Sequence, residues 1–162
     1  MLLKRILSVF LLFSLCALAS CRSKTEYLNS FSVDELAESV QRKLTDTQFV
    51  QADEDYLDDY ITLPESFSEF CVYFSANGSV LDEFGIWRVP VEQTDEVRSL
   101  LQKYLSESLA RNRTFYDSYI PEETPKLRDA QIKIFGNYVA YAILSPEERD
   151  RFFASLESDL TP

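Results

Sequence analysis

The clearest periodic stretch begins at Val33. Val33, Leu36, Val40 and Leu44 recur at helical spacing with polar residues between them, which predicts an amphipathic helix that buries one stripe. Its start is written in Phe31-Ser32-Val33-Asp34-Glu35-Leu36. Ser32 and Glu35 fit a capping box there, and Phe31 with Leu36 fits a hydrophobic staple. From Asp53 to Leu63 a short helical turn is expected, with Tyr56, Leu57, Tyr60 and Ile61 inward and Pro64 ending it. The period then changes to two. Phe70, Val72 and Phe74 alternate with Cys71 and Tyr73 across Ser68 to Ser75, Asn77-Gly78 marks a turn, and Glu83 to Val91 returns as a second strand with Pro90 near its end. Glu92 to Arg113 is the longest helical pattern, with Val97, Leu100, Leu101, Tyr104, Leu105 and Leu109 on its stripe. A proline-bearing connection through Ile120-Pro121 and Pro125 leads to two more strands, Asp129 to Phe135 and Tyr138 to Leu144. Gly136-Asn137 between them suits a two-residue type I′ or II′ turn. Ser145-Pro146-Glu147-Glu148 opens a last helix with Phe152, Phe153 and Leu156 inward.

The order α-β-β-α-β-β-α predicts an α+β domain. The expected core is a four-stranded, mostly antiparallel sheet of two hairpins, with helices packed mainly on one face. An internal echo supports a pseudo-repeat: Tyr60-Ile61 with Pro64 precedes the first hairpin, and Tyr119-Ile120-Pro121 precedes the second, 59 residues on.

The N-terminus carries a different signal. Lys4 and Arg5 precede an apolar run from Ile6 to Leu18, thirteen residues long, where a bilayer-spanning helix needs about twenty. It ends in Leu18-Ala19-Ser20-Cys21. This resembles the bacterial lipobox, which implies cleavage before Cys21 and lipidation of its sulfur. Two acyl chains on that residue satisfy the two-signal condition for stable anchoring. The expected organisation is therefore a removed signal peptide at 1–20, lipidated Cys21 with a short tether over 21–31, and one α+β domain over 32–162. The expected location is the extracytoplasmic face of a cell membrane, the outer membrane in a two-membrane bacterium. Arg22, not aspartate, follows the cysteine.

Composition narrows the chemistry. The 162 residues include no histidine and only three glycines, which removes Ser-His and Cys-His nucleophiles, histidine metal sites and glycine-rich phosphate loops. Three cysteines without a Cys-x-x-Cys pair exclude a zinc ribbon or thioredoxin-type motif. Loss of the signal leaves 14 basic residues against 27 acidic ones, net −13. Nucleic acid is therefore not an expected partner, because phosphate binding depends on basic residues. Cys71 becomes the one unmodified thiol and reads as a small buried hydrophobe.

The acidity is uneven. Thr45 to Trp87 contains ten acidic residues and no basic one. Asp53, Asp55, Asp58 and Asp59 are the candidates for a weak calcium site, although the glycine and glutamate of an EF-hand loop do not fit; a solvated acidic face is the plainer reading. Asn77, Ser79 and Arg88 are candidates for a binding rim.

Several of these strings together resemble an uncharacterised family of small bacterial lipoproteins carrying a domain of unknown function. The strings are the Leu18-Ala19-Ser20-Cys21 lipobox, Phe70-Cys71-Val72-Tyr73-Phe74-Ser75-Ala76, Asp82-Glu83-Phe84-Gly85-Ile86-Trp87-Arg88-Val89, Tyr119-Ile120-Pro121, and Ile134-Phe135-Gly136-Asn137-Tyr138-Val139. The resemblance spans about Ala52 to Leu156 and implies a membrane-tethered α+β domain with no assigned catalytic residue. The expected role is a non-enzymatic binding or interaction module without a cofactor, whose partner is an envelope protein or a cationic ligand. The alternatives are a carboxylate-dependent or metal-assisted hydrolase and a weak calcium-binding module.

Overall fold

A computed structural model describes residues 25–45, 47–53 and 69–162. The signal peptide, Cys21 and the helical turn expected between Asp53 and Leu63, apart from Asp53 itself, lie outside the described residues. The elements, numbered in chain order, are α1 (Val33–Gln41), β1 (Phe49–Gln51), β2 (Phe70–Ser75), β3 (Glu83–Arg88), α2 (Thr94–Tyr119), α3 (Thr124–Arg128), β4 (Gln131–Phe135), β5 (Tyr138–Ile143) and α4 (Pro146–Leu160). The strands form one sheet in the order β1-β2-β3-β5-β4, every neighbour antiparallel.

The α+β class holds, with two changes. A fifth strand, β1, pairs its three residues with Tyr73 to Ser75; Phe-Val-Gln is too short to show a period of two. The helices also cover both faces rather than mainly one. Alternation along the strands sorts the core into two clusters. Cys71, Phe84, Ile86, Tyr138, Ala140 and Ala142 face α1 and α4, where they meet Leu36, Val40, Phe152, Phe153 and Leu156. Val72, Trp87, Val139, Tyr141 and Ile143 face α2 and α3, where they meet Val97, Leu101, Tyr104 and Leu127. The two central strands explain why one covering layer was insufficient: all of β5 and all of β3 except Arg88 are buried, so both their faces need a partner.

Local chemistry places the ends as the sequence demands. At α1 both halves of the capping box form, Ser32 Oγ accepting from the Glu35 N–H and the Glu35 carboxylate accepting from the Ser32 N–H. At α4 Ser145 caps the Glu148 N–H. The Glu148 carboxylate leaves the expected box and instead accepts from the Thr45 N–H and hydroxyl, each at 3.2 Å, which ties α4 to the end of α1. Helix α2 runs six residues beyond the expected Arg113 and stops before Pro121, whose ring disfavours helical geometry at Ile120. Between β4 and β5, Gly136 has φ of +62° and Asn137 does not have positive φ, which matches the type II′ alternative.

The two hairpins lie side by side, β3 against β5, as two halves of a repeat would. The helices break the repeat. Halves related across an antiparallel strand pair keep the same face toward the viewer, yet α1 packs on one face and α2 on the other. The symmetry is confined to the paired hairpins, and Tyr60, Ile61 and Pro64 of the echo lie outside the described residues.

Candidate functional site: a glutamate at the floor of a cleft

Glu83 is the first residue of β3, and strand alternation puts it on the same face as Gly85 and Trp87, beneath α2. It is 7% exposed. Its Oε1 accepts from the Tyr104 hydroxyl of α2 at 2.7 Å and from the Tyr141 hydroxyl of β5. A buried carboxylate is costly unless hydrogen-bonded, and two phenol donors meet that requirement.

Gly85 makes the arrangement sterically feasible. A Cβ there would sit 2.6 Å from both Trp87 Cζ3 and Tyr141 Cε1. With no Cβ at Gly85, the Trp87 and Tyr141 rings pack at 5.6 Å between centroids, and Tyr104 meets Tyr141 edge-on at 5.9 Å. This aromatic stack aims the two hydroxyls at Glu83.

Above the carboxylate opens a cleft of about 280 Å³ between the β2–β3 loop and the second half of α2. Its polar lining includes Glu83, Ser108 and Asn112, and its rings are Phe74, Tyr104 and Tyr116. The volume lies just below the usual range for small-molecule pockets, roughly 300–1,000 Å³.

An ion cluster fixes the loop that forms one wall. Asp82 accepts from Lys126 Nζ at 2.7 Å and from the Thr47 hydroxyl. Lys126 also meets Glu123 at 2.8 Å, and Glu123 accepts from the Leu81 N–H at 2.9 Å. Three elements are thereby joined: the lead-in to β1, the start of β3, and α3. Burial lowers the affinity of Lys126 for its proton, but hydrogen bonds and charge from Asp82 and Glu123 more than offset this, so its pKa stands above the ordinary value.

The residues singled out from the sequence are scattered. Asn77 and Ser79 lie in the loop beside this cleft, where Asn77 Oδ1 accepts from the Ser79 N–H at 3.1 Å. Gly78, between them, is part of the lining. Arg88 is at the opposite end of β3, held by Glu69 at 3.2 Å and donating to the Asn29 carbonyl at 2.7 Å. It does not share a rim with Asn77 and Ser79. Asp53 is exposed; Asp55, Asp58, Asp59 and Cys21 lie outside the described residues. Among the described residues no group of three or more His, Cys, Asp or Glu side chains is placed to hold a metal ion. No helix among them is long and apolar enough to cross a membrane. Cys71 is buried against α1 with its thiol donating to the Val33 carbonyl at 3.6 Å. Burial, with the nearby Asp34 charge, pushes its pKa up to about 12.

Glu83 was missed as a site residue because it reads as the polar end of an apolar strand. The available signal was parity: a carboxylate on the face of Trp87, next to a glycine.

Fold and site together define a three-layer α+β domain with a carboxylate-floored cleft at one end of its antiparallel sheet. Residues 42–144 match the family described as a domain of unknown function, DUF4358, and the chain belongs to that family. No curated protein and no solved structure matches the chain significantly. The matched segment contains every described strand with α2 and α3, and hence the entire cleft lining. It ends before α4 and begins after α1.

Proposed function

We propose that this protein is a lipid-anchored, extracytoplasmic, non-enzymatic binding module, and that it binds a small ligand carrying an ammonium group in the cleft above Glu83. The observation that carries the reading is the buried Glu83 carboxylate, oriented by Tyr104 and Tyr141 at the floor of an aromatic-walled cleft. A carboxyl group and three aromatic rings in one lining supply the two kinds of attraction that select an ammonium group over a neutral one. Ser108 and Asn112 supply hydrogen-bonding groups along the wall for the rest of such a ligand. The net −13 of the processed chain favours approach of cations through its field. Tethering rests on the Leu18-Ala19-Ser20-Cys21 lipobox. A binding role is supported by the absence of histidine from the sequence, because no unperturbed side chain then titrates near neutral pH.

The test is a thermal-shift series on the full lipidated protein in detergent. Putrescine, ethanolamine and glucosamine are set against 1,4-butanediol, ethylene glycol and glucose. A ligand that binds only the native state raises the midpoint. At least one amine is expected to raise it while its neutral counterpart does not, and Glu83→Gln should abolish the shift. Equal shifts from an amine and its neutral counterpart, or none from any amine, would overturn the ammonium reading.

A further inference from the structure

We infer that the anchored protein stands on the membrane with the Gly136 turn toward the lipid and the Glu83 cleft facing away from it. The inference rests on the proposed lipidation of Cys21 and adds an orientation that the lipobox alone does not specify.

The segment expected to be a short tether is strapped down over its described part. Tyr27 packs edge-on against Phe135 at 5.6 Å, and its Cβ lies 3.1 Å from where a Cβ on Gly136 would be. The Leu28 N–H donates to the Leu160 carbonyl at 2.8 Å. Arg88 donates to the Asn29 carbonyl, and the Tyr138 hydroxyl donates to the Phe31 carbonyl at 2.7 Å. These partners share one end of the molecule. Arg88 pairs with Tyr138 at the end of the β3–β5 ladder, Phe135 and Gly136 form the adjoining turn, and α4 runs back from Ile143 to bring Leu160 there.

The cleft is at the other end. Glu83 pairs with Ile143, five ladder positions from the Arg88–Tyr138 pair, a separation of roughly 17 Å at about 3.3 Å per residue. Only Arg22 to Glu26 lie between Cys21 and the first strapped residue. Fully extended, that leash reaches roughly 20 Å, whereas a compact domain of this size is about 37 Å across. Turning the domain over to set its cleft end on the same membrane would need a leash near the full span of the domain, so a leash of that length leaving the Gly136 end keeps that end the nearer to the lipid.

The test uses the full lipidated protein in phosphatidylethanolamine–phosphatidylglycerol vesicles carrying a headgroup-labelled acceptor lipid. Two exposed positions receive a maleimide donor, Val91→Cys at the strapped end and Ser79→Cys at the cleft end. The buried Cys71 thiol stays unlabelled in the folded protein. Both variants should float with the vesicles, with energy transfer several-fold stronger from position 91 than from position 79. Inserting ten Gly/Ser residues after Ser23 should shrink that difference. Flotation with equal transfer from both positions overturns the orientation while leaving the anchor intact. A difference that survives the insertion overturns the leash as its cause. Failure to float overturns the lipidation reading itself.

Discussion

The two faces of the sheet are built on different terms. Against α1 and α4 the central strands present Phe84, Ile86, Ala140 and Ala142, and the helices answer with Leu36, Phe152, Phe153 and Leu156. Phe84 alone meets Phe49, Tyr73 and Phe152 at centroid distances of 5.1–5.3 Å. Against α2 the same strands present Glu83, Trp87 and Tyr141, a polar end, and a cleft where the helix stands away from the loop. One face is filled to hold the fold. The other trades some packing for a placed carboxylate.

That contrast is broken most severely at Phe84. Phe84→Ala removes a fully buried ring that joins β1, β2 and α4, and should cost about 3–5 kcal/mol, the usual loss for a core phenylalanine. Urea denaturation with an unchanged slope would measure it. A loss under about 1 kcal/mol would mean the α1/α4 face is not what holds the sheet.

Next in size is Lys126. Its side chain is 17% exposed, and those of Asp82 and Glu123 are 6% and 13% exposed. Lys126→Met leaves two largely buried carboxylates together, so the loss should fall near the lower end of the roughly 3–5 kcal/mol expected for breaking a buried pair. The pH dependence has a definite sign. The folded pKa of Lys126 is raised, so its contribution is complete below the ordinary lysine value and is lost as pH rises through the folded value. Cys71 on the other face acts in the same direction. Its folded pKa of about 12 against an ordinary 9.0 makes stability fall across that interval, as the unfolded thiol ionises and the folded one does not. Alkaline denaturation should therefore begin near pH 9. Cys71→Ala should flatten its first part, and Lys126→Met the part above the ordinary lysine pKa.

Gly85 belongs wholly to the cleft face. Gly85→Ala forces a Cβ into Trp87 and Tyr141, an overpacking cost of about 1–3 kcal/mol. It should also reduce any amine-dependent rise in melting temperature, because the Tyr141 hydroxyl is displaced from Glu83. A variant with wild-type stability and an unchanged amine shift would show that the aromatic stack does not position the site.

What could be read in advance follows the same division. The helix starts at Ser32 and Ser145 and the turn at Gly136 were legible because local chemistry decides them. The hairpin strands were legible because alternation persists through them, within two or three residues at their ends. The covering of both faces was only half visible. The unbroken burial from Phe84 to Trp87 reads in sequence as ordinary hydrophobicity, and which helix covers which side is decided by the chain path. The acidic run drew attention to Asp53, Asp55, Asp58 and Asp59, since charge density is conspicuous. Glu83 and Asp82 lie in the same run, but their significance comes from Tyr104, Tyr141 and Lys126, at least 21 residues away along the chain. Pairings across such distances leave no local pattern.

The smallest expected stability change is also the one that separates the two terms most cleanly. Glu83→Gln keeps an acceptor oxygen for Tyr104 or Tyr141 and preserves the side chain's shape, so the cleft wall and the ring stack should remain. What is lost is the capacity of that group to ionise, and the stability change should be no more than about 1 kcal/mol, the margin by which bonds to ionised groups exceed neutral ones. Against this stands Glu83→Ala, which leaves two inward-facing phenol hydroxyls without that acceptor and should cost about 1–3 kcal/mol. If the carboxylate serves the fold, the two substitutions should destabilise alike and in proportion to any loss of binding. If it serves a ligand, Gln should fold nearly as well as the parent and still fail to respond to amines. Stability and amine response measured on the same two variants decide between a glutamate kept for packing and one kept for its charge.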